Sequence, residues 1–320
     1  MNKSLKRLVS FLLVAMLAFG TVAYAVEIEP VDAAEELYGF PETRWLNLED
    51  YSDKVYYDLP YCGENSTEME KLHLVLPKEG EGPYPVIVSI HGGAWGSNNS
   101  TKDKLVTFTQ AAALAGLKRG YAVACVDYTL KKKTTPVVMP LDIQEARAAV
   151  RYLRSVAEEY NLDTEHFALI GESAGGQIAD MAALTAGEAL YDNADFGNME
   201  YSAEVQAVIA QYSAPIMGIN GMTARLYDVE EAALTQEMAD AITAIRHVDA
   251  GDPPFYIEAG SADSTIDYND SVALYDALVA AGVENCVLHI YEGMEHSTAW
   301  FQSEQVTDSF LNWLDAIFER

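Results

Sequence analysis

Cysteine is scarce in this chain: three in 320 residues, at positions 62, 125 and 286. Three scattered thiols exclude a disulfide framework and the paired ligands of a structural metal site. Cys125 and Cys286 fall in strand-like runs, so free thiols are expected, with a pair involving Cys62 left open. Cations are scarce too, 20 Lys and Arg against 49 Asp and Glu, for a net charge of -29. A field of that sign repels phosphate backbones and anionic membrane surfaces, which excludes nucleic acid as a partner. It leaves the acid as a solvated surface that keeps the protein soluble and monomeric. Lys131-Lys132-Lys133 is the one basic cluster and reads as a solvated loop. No apolar run reaches bilayer length, since Leu8 to Phe19 holds only about twelve residues.

That run has a different meaning. Lys3, Lys6 and Arg7 precede it and Ala23-Tyr24-Ala25 follows it, the pattern of a signal peptide cleaved after Ala25. Residues 1–25 are therefore expected to be removed from an exported protein, and no Cys follows to take a lipid. With 50% hydrophobic and 22% charged residues, 21 Gly and 11 Pro, collagen, coiled-coil and disordered readings fall away. The remaining residues suit one large α/β domain.

Residues 26–69 are acidic with scattered aromatics and read as an arm over a domain spanning 70–320. From about residue 70, short β-rich runs alternate with helical stretches: 71–76, 86–90, 122–126, 167–170, 205–210, 255–259 and 286–290. Their near-continuous apolar character marks strands buried on both faces. Ala146, Ala149, Val150, Leu153 and Val156 repeat at helical spacing between them. Alternation of this kind demands right-handed crossovers, hence a mostly parallel sheet with helices on both faces. Residues 217–244 break the rhythm and read as a small helical cap at the C-terminal ends of the strands, where such sheets place their ligand.

Phe167 to Ile170 runs into Gly171-Glu172-Ser173-Ala174-Gly175-Gly176 and then a helical stretch. Strand, G-x-S-x-G and helix together describe a turn so tight that only glycine fits at its flanks, leaving Ser173 Oγ exposed at a helix start. A serine needs a base and a group to orient that base. His289 lies inside a strand run and His247 precedes the penultimate strand, whereas His296 follows the last strand, on Glu292-Gly293-Met294-Glu295. His296 is the expected base. Asp263 follows the run 255–259 and is the expected acid; Asp267 and Asp270 sit further on, where an acid caps a helix instead. The turn His91-Gly92-Gly93-Ala94-Trp95 after strand 86–90 is placed to offer the N–H groups of Gly93 and Ala94, with Ala174, to a developing oxyanion. His91 is expected to bond the loop backbone, and Trp95 either lines the substrate pocket or packs. Asp142, Arg147 and Arg151 read as surface or supporting ion pairs. No metal-ligand spacing, phosphate loop or dinucleotide fingerprint occurs, and no cofactor is expected.

Over residues 70–318 the chain resembles the alpha/beta-hydrolase superfamily, in its esterase branch of bifunctional feruloyl/acetyl-xylan-esterase-like and hormone-sensitive-lipase-like enzymes. The motifs above carry the likeness, with Asp127-Tyr128, Asp252-Pro253-Pro254-Phe255 and Gly293-Met294-Glu295-His296. Ala94 stands where the lipase-like branch usually has a third Gly. The resemblance implies an alpha/beta-hydrolase fold with Ser173, Asp263 and His296 as its triad. It also implies activity on acetyl, feruloyl or other short acyl esters of plant polysaccharide. An arylformamidase-like amide hydrolase and an inactive binding module are the alternatives.

Overall fold

The structure, a computed structural model, describes residues 26–31, 45–63, 66–96, 104–132, 135 and 138–320. The expected signal peptide and its cleavage site, residues 32–44 of the arm, and Lys133 lie outside the described residues.

The strands in chain order are β1 (Ile28–Glu29), β2 (Trp45–Asn47), β3 (Val55–Pro60), β4 (Lys71–Val75), β5 (Tyr84–Ile90), β6 (Leu105–Thr107), β7 (Ala122–Val126), β8 (Leu162–Glu172), β9 (Ala207–Gln211), β10 (Phe255–Gly260) and β11 (Val287–Tyr291). Among the described residues, nine of them form one sheet in the order β1-β11-β10-β9-β8-β5-β7-β4-β3. All its pairings from β1 to β7 are parallel, while β4 and β3 are antiparallel. β2 and β6 form a separate antiparallel pair. The helices are α1 (Ala111–Leu114), α2 (Leu141–Ser155), α3 (Ala157–Tyr160), α4 (Ala174–Leu184), α5 (Gly221–Tyr227), α6 (Gln236–Asp240), α7 (Tyr268–Ala281) and α8 (Glu304–Ile317).

Side chains alternate across the sheet, as strand geometry requires. Val86, Val88, Phe167 and Leu169 join Ile143, Leu153, Ile178 and Leu274 of α2, α4 and α7 in one core. Ile87, Ala168 and Ile170 face Leu114, Phe310, Leu311 and Leu314 of α1 and α8 in a second core on the other face. The chain passes from β5 outward to β7 and returns to β8 on the opposite side of β5, so the strand order reverses between β5 and β8. A crevice opens at such a point above the strand C-termini. The segment 217–244 holds the short helices α5 and α6.

The sheet begins earlier than residue 70. β3 and β1 belong to it, and Leu48 of the arm is fully buried. β3 escaped the sequence reading because its residues alternate between half-buried and exposed and include Asp58 and Pro60, without the apolar continuity of the inner strands.

Arg147, Arg151 and Asp142 are not surface residues either. The segment after α4 folds over α2, and Asp192 there accepts from Arg147 Nε at 2.8 Å and Arg151 Nη2 at 2.6 Å. Asp142 is fully buried. Lys131 departs from the solvated-loop reading as well: its side chain is 8% exposed and its Nζ meets Asp228, at the end of α5, at 2.7 Å. All three cysteines are free, Cys62 and Cys125 buried and Cys286 partly exposed.

Several carboxyl groups lie inside. Burial raises Asp142 and Glu258 to about 8 and Asp180 and Glu172 to about 7. The folded protein therefore keeps these protons to higher pH than the unfolded chain does, and stability falls as pH rises from the ordinary carboxylate range through about 8. Buried His91, lowered to about 4 by desolvation, acts in the opposite sense, but only below its ordinary value near 6.5. The melting temperature is accordingly expected to fall between about pH 6.5 and 8.5. Asp180, fully buried beside Ser213, offers the check: Asp180→Asn should raise the melting temperature at the alkaline end. An unchanged slope in that variant would contradict the account.

Candidate active site

Ser173 stands between the end of the central strand β8 and the start of α4. It adopts φ 54° and ψ -119°, a sparsely populated conformation that persists only when its surroundings enforce it. The enforcement is steric and local. A Cβ on Gly175 would lie 2.2 Å from the Ile90 carbonyl oxygen, so β5 and the start of α4 touch backbone to backbone. Ser173 N–H donates to the Gln211 carbonyl of β9 at 3.0 Å. The side chain is thereby pushed into the crevice, half-exposed.

His296 follows β11 and rests on a small apolar cluster that includes Tyr212, Met294, Trp300 and Phe301. The Tyr212 ring meets the imidazole edge-on at 4.9 Å. His296 Nε2 lies 2.9 Å from Ser173 Oγ, and Nδ1 lies 2.7 Å from Asp263 Oδ2. Because a carboxylate only accepts, Nδ1 carries the proton, and the Nε2 lone pair faces the serine hydroxyl. Asp263 is itself fixed: its Oδ1 accepts the N–H groups of Thr265 and Ile266 at 2.8 and 2.9 Å. The structure thus brings Ser173, His296 and Asp263 together. Asp267 instead caps α7 through Asn269 N–H, and Asp270 lies in the first turn of the same helix. His289 pairs with Glu29, and His247 with Glu188.

The turn after β5 lies against this group. Glu172 Oε1 accepts from Gly92 N–H at 2.8 Å and from the Thr109 hydroxyl. Tyr128 OH donates to the His91 carbonyl at 2.9 Å and its ring stacks on the His91 imidazole. His91 Nδ1 donates to the Gly92 carbonyl at 2.7 Å, the backbone role expected of it. The N–H groups of Gly93, Ala94 and Ala174 have no acceptor among the described residues. Of the two roles left open for Trp95, its surroundings are those of packing: the indole is 5% exposed and its N–H donates to Gln177 Oε1 at 3.2 Å.

Glu172, Gln177 and Tyr212 escaped the sequence reading. Glu172 left a trace there, an ionisable residue closing an otherwise apolar strand directly before the serine. Gln177, within a helix buried along its whole length, left a similar one. Among the described residues no group of three His, Cys, Asp or Glu is placed to hold a metal, and no helix is long and apolar enough to cross a membrane.

Comparison with known proteins places the chain in a family. The family model described as BD-FAE matches residues 72–278. The chain belongs to the BD-FAE family. This BD-FAE member is also similar to "Probable carboxylic ester hydrolase LipM" of Mycobacterium tuberculosis, 26% identical over 212 residues, covering 62% of this chain and 45% of that protein. The chain spans about half the length of the curated relatives it matches. Among solved structures, a truncated carbohydrate esterase from gut microbiota superposes with a TM-score of 0.72 at 23% identity, over 88% of this chain and all of that one. A bifunctional GH43-CE protein of Bacteroides eggerthii gives 0.71 at 25% identity, over 83% of this chain and 35% of that one. The fold is that of alpha/beta-hydrolase esterases.

Proposed function

We propose that this chain is an exported serine esterase acting on short acyl, acetyl or feruloyl esters of carbohydrates. The observation that carries the reading is the line from Asp263 Oδ2 through His296 to Ser173 Oγ, with steps of 2.7 and 2.9 Å. Ser173 attacks the ester carbonyl as His296 Nε2 takes the hydroxyl proton. Asp263, accepting from Nδ1–H, orients the imidazole and stabilises the imidazolium that forms. The N–H groups of Gly93, Ala94 and Ala174 receive the negative oxygen of the tetrahedral intermediate. His296 then protonates the departing alcohol, and water activated by the same nitrogen clears the acyl group.

Family membership supports ester hydrolysis, and the likeness to carbohydrate esterases supports the sugar side. Export rests on the pattern of the first 25 residues. The test is hydrolysis of p-nitrophenyl acetate, butyrate and octanoate, methyl ferulate and acetylated xylan. Turnover is expected on the acetyl and short-chain esters and on xylan, falling at octanoate. A folded protein inert towards every ester would overturn the reading.

A further inference from the structure

The turn that carries the oxyanion donors is held in an unfavourable shape, and part of what holds it comes from the cap. Gly93, Ala94 and Trp95 stand in succession at φ 114°, 50° and 56°. Left-handed backbone is disfavoured for residues bearing a Cβ and persists only where neighbours enforce it. Trp95 is enforced from the body of the domain, its carbonyl accepting Lys131 N–H at 2.6 Å and its indole held by Gln177. Ala94 is enforced from the insertion: Arg225 Nη2, on α5, donates to the Ala94 carbonyl oxygen.

A second, independent observation concerns Gly96. A Cβ there would lie 2.8 Å from Arg225 Nη1 and 2.7 Å from the Lys131 carbonyl. The guanidinium and the Lys131 carbonyl thus both close on the open side of Gly96, which places Arg225 against this turn at a second point. The helix carrying Arg225 is anchored beside the same turn, since Leu226 accepts Val138 N–H at 3.1 Å and Asp228 pairs with Lys131. Arg225 Nη2 also lies 3.2 Å from Met222 Sδ.

We propose that Arg225 is a positioning residue: by holding the Ala94 carbonyl it keeps the Gly93-Ala94-Trp95 turn in the shape that aims its N–H groups at the oxyanion. Seating of α5 is thereby coupled to acyl transfer. With the Ala94 carbonyl held by Arg225, and the Gly93 carbonyl, which shares a peptide plane with the Ala94 N–H, accepting Gly96 N–H at 3.1 Å, both peptide planes flanking Ala94 are set, and the direction of its N–H with them. The inference rests on the reading of this turn as the oxyanion site.

The experiment is steady-state hydrolysis of p-nitrophenyl acetate by the full chain and by Arg225→Ala, Arg225→Lys, Gly96→Ala, Ala94→Gly and the Arg225→Ala/Ala94→Gly pair, with folding checked by circular dichroism. Arg225→Ala is expected to lower kcat about tenfold or more with KM within about twofold, because the lost interaction acts on the transition state. Gly96→Ala should reproduce that loss, and Lys at 225 should recover part of it. Ala94→Gly in the Arg225→Ala background should also recover part, because glycine adopts the left-handed turn without a holder. An Arg225→Ala kcat within twofold of wild type, a raised KM with kcat intact, or no recovery on adding Ala94→Gly would each overturn the inference. Should Arg225→Ala not fold, Arg225→Gln takes its place in every comparison. Ester turnover that disappears in Ser173→Ala while Arg225→Ala is unimpaired defeats only this inference, whereas wild-type protein without Ser173-dependent turnover defeats the esterase reading as well.

Discussion

A Ser173→Ala variant is expected to fold as the wild type does and to lose at least about 10,000-fold in kcat on p-nitrophenyl acetate, because removing the nucleophile leaves only binding and oxyanion stabilisation. Folding should survive because the structural work at this position is done by the backbone. The N–H on Gln211 and the tight approach of Gly175 to β5 are untouched by the substitution. Among the described residues the side chain contributes one hydrogen bond, to His296 Nε2. Ser173→Gly goes further: at φ 54° and ψ -119° glycine relieves a conformation that costs other residues about 1–3 kcal/mol. That inactive variant is expected to melt above the wild type. Kinetics combined with thermal melting check both halves. Retention of more than about a hundredth of wild-type kcat in folded Ser173→Ala would remove the covalent mechanism.

The second large effect is expected at Asp263. Asp263→Asn should lower kcat about 10,000-fold, the scale seen where a triad acid becomes its amide and the imidazole takes the wrong tautomer. The reason can be traced here to individual atoms. Oδ1 accepts two backbone N–H groups, from Thr265 and Ile266, so the asparagine oxygen must stay on that side and its NH2 must face His296 Nδ1. A donor there makes Nδ1 an acceptor and moves the proton to Nε2, which then points N–H at Ser173 and cannot take the hydroxyl proton. Asp267→Asn, altering a cap whose partner is Asn269 N–H, should leave kcat nearly unchanged. Comparison of the two variants separates the acids; an Asp263→Asn kcat within tenfold of wild type would remove Asp263 from the role.

Much of this architecture was legible because its causes are local. The inner strands are buried on both faces, and runs such as Val86 to Ile90 and Ala122 to Val126 announce that in their composition. The three residues that meet in the crevice were found from their places after β8, β10 and β11. What stayed hidden depends on segments far apart in the chain. Arg147 and Arg151 look like solvent-facing cations until the turn carrying Asp192 covers them. Lys131 looks like part of a solvated triplet until Asp228 arrives from the insertion. Nothing near Arg225 in the sequence signals that its partner is the carbonyl of Ala94, 131 residues away. β3, with one face wet, lacked the apolar run that betrayed its neighbours.

The two-residue strand β1 has a consequence beyond filling a place in the order. It pairs Ile28 with Ile290 and Glu29 with Tyr291, sets the Glu29 carboxylate on His289, and accepts Glu292 N–H on the Glu29 carbonyl at 2.8 Å. Without it, β11 would present a full row of unpaired amides to any passing chain, the template from which sheets grow between molecules. Among the described residues β1 covers Ile290 and Tyr291, the C-terminal end of β11, and brings an acid to that edge, in a protein whose copies already repel one another at a net charge of -29. Among the described residues the ladder ends at β1, and its short acidic strand works against edge-to-edge pairing at the end of β11 nearest His296.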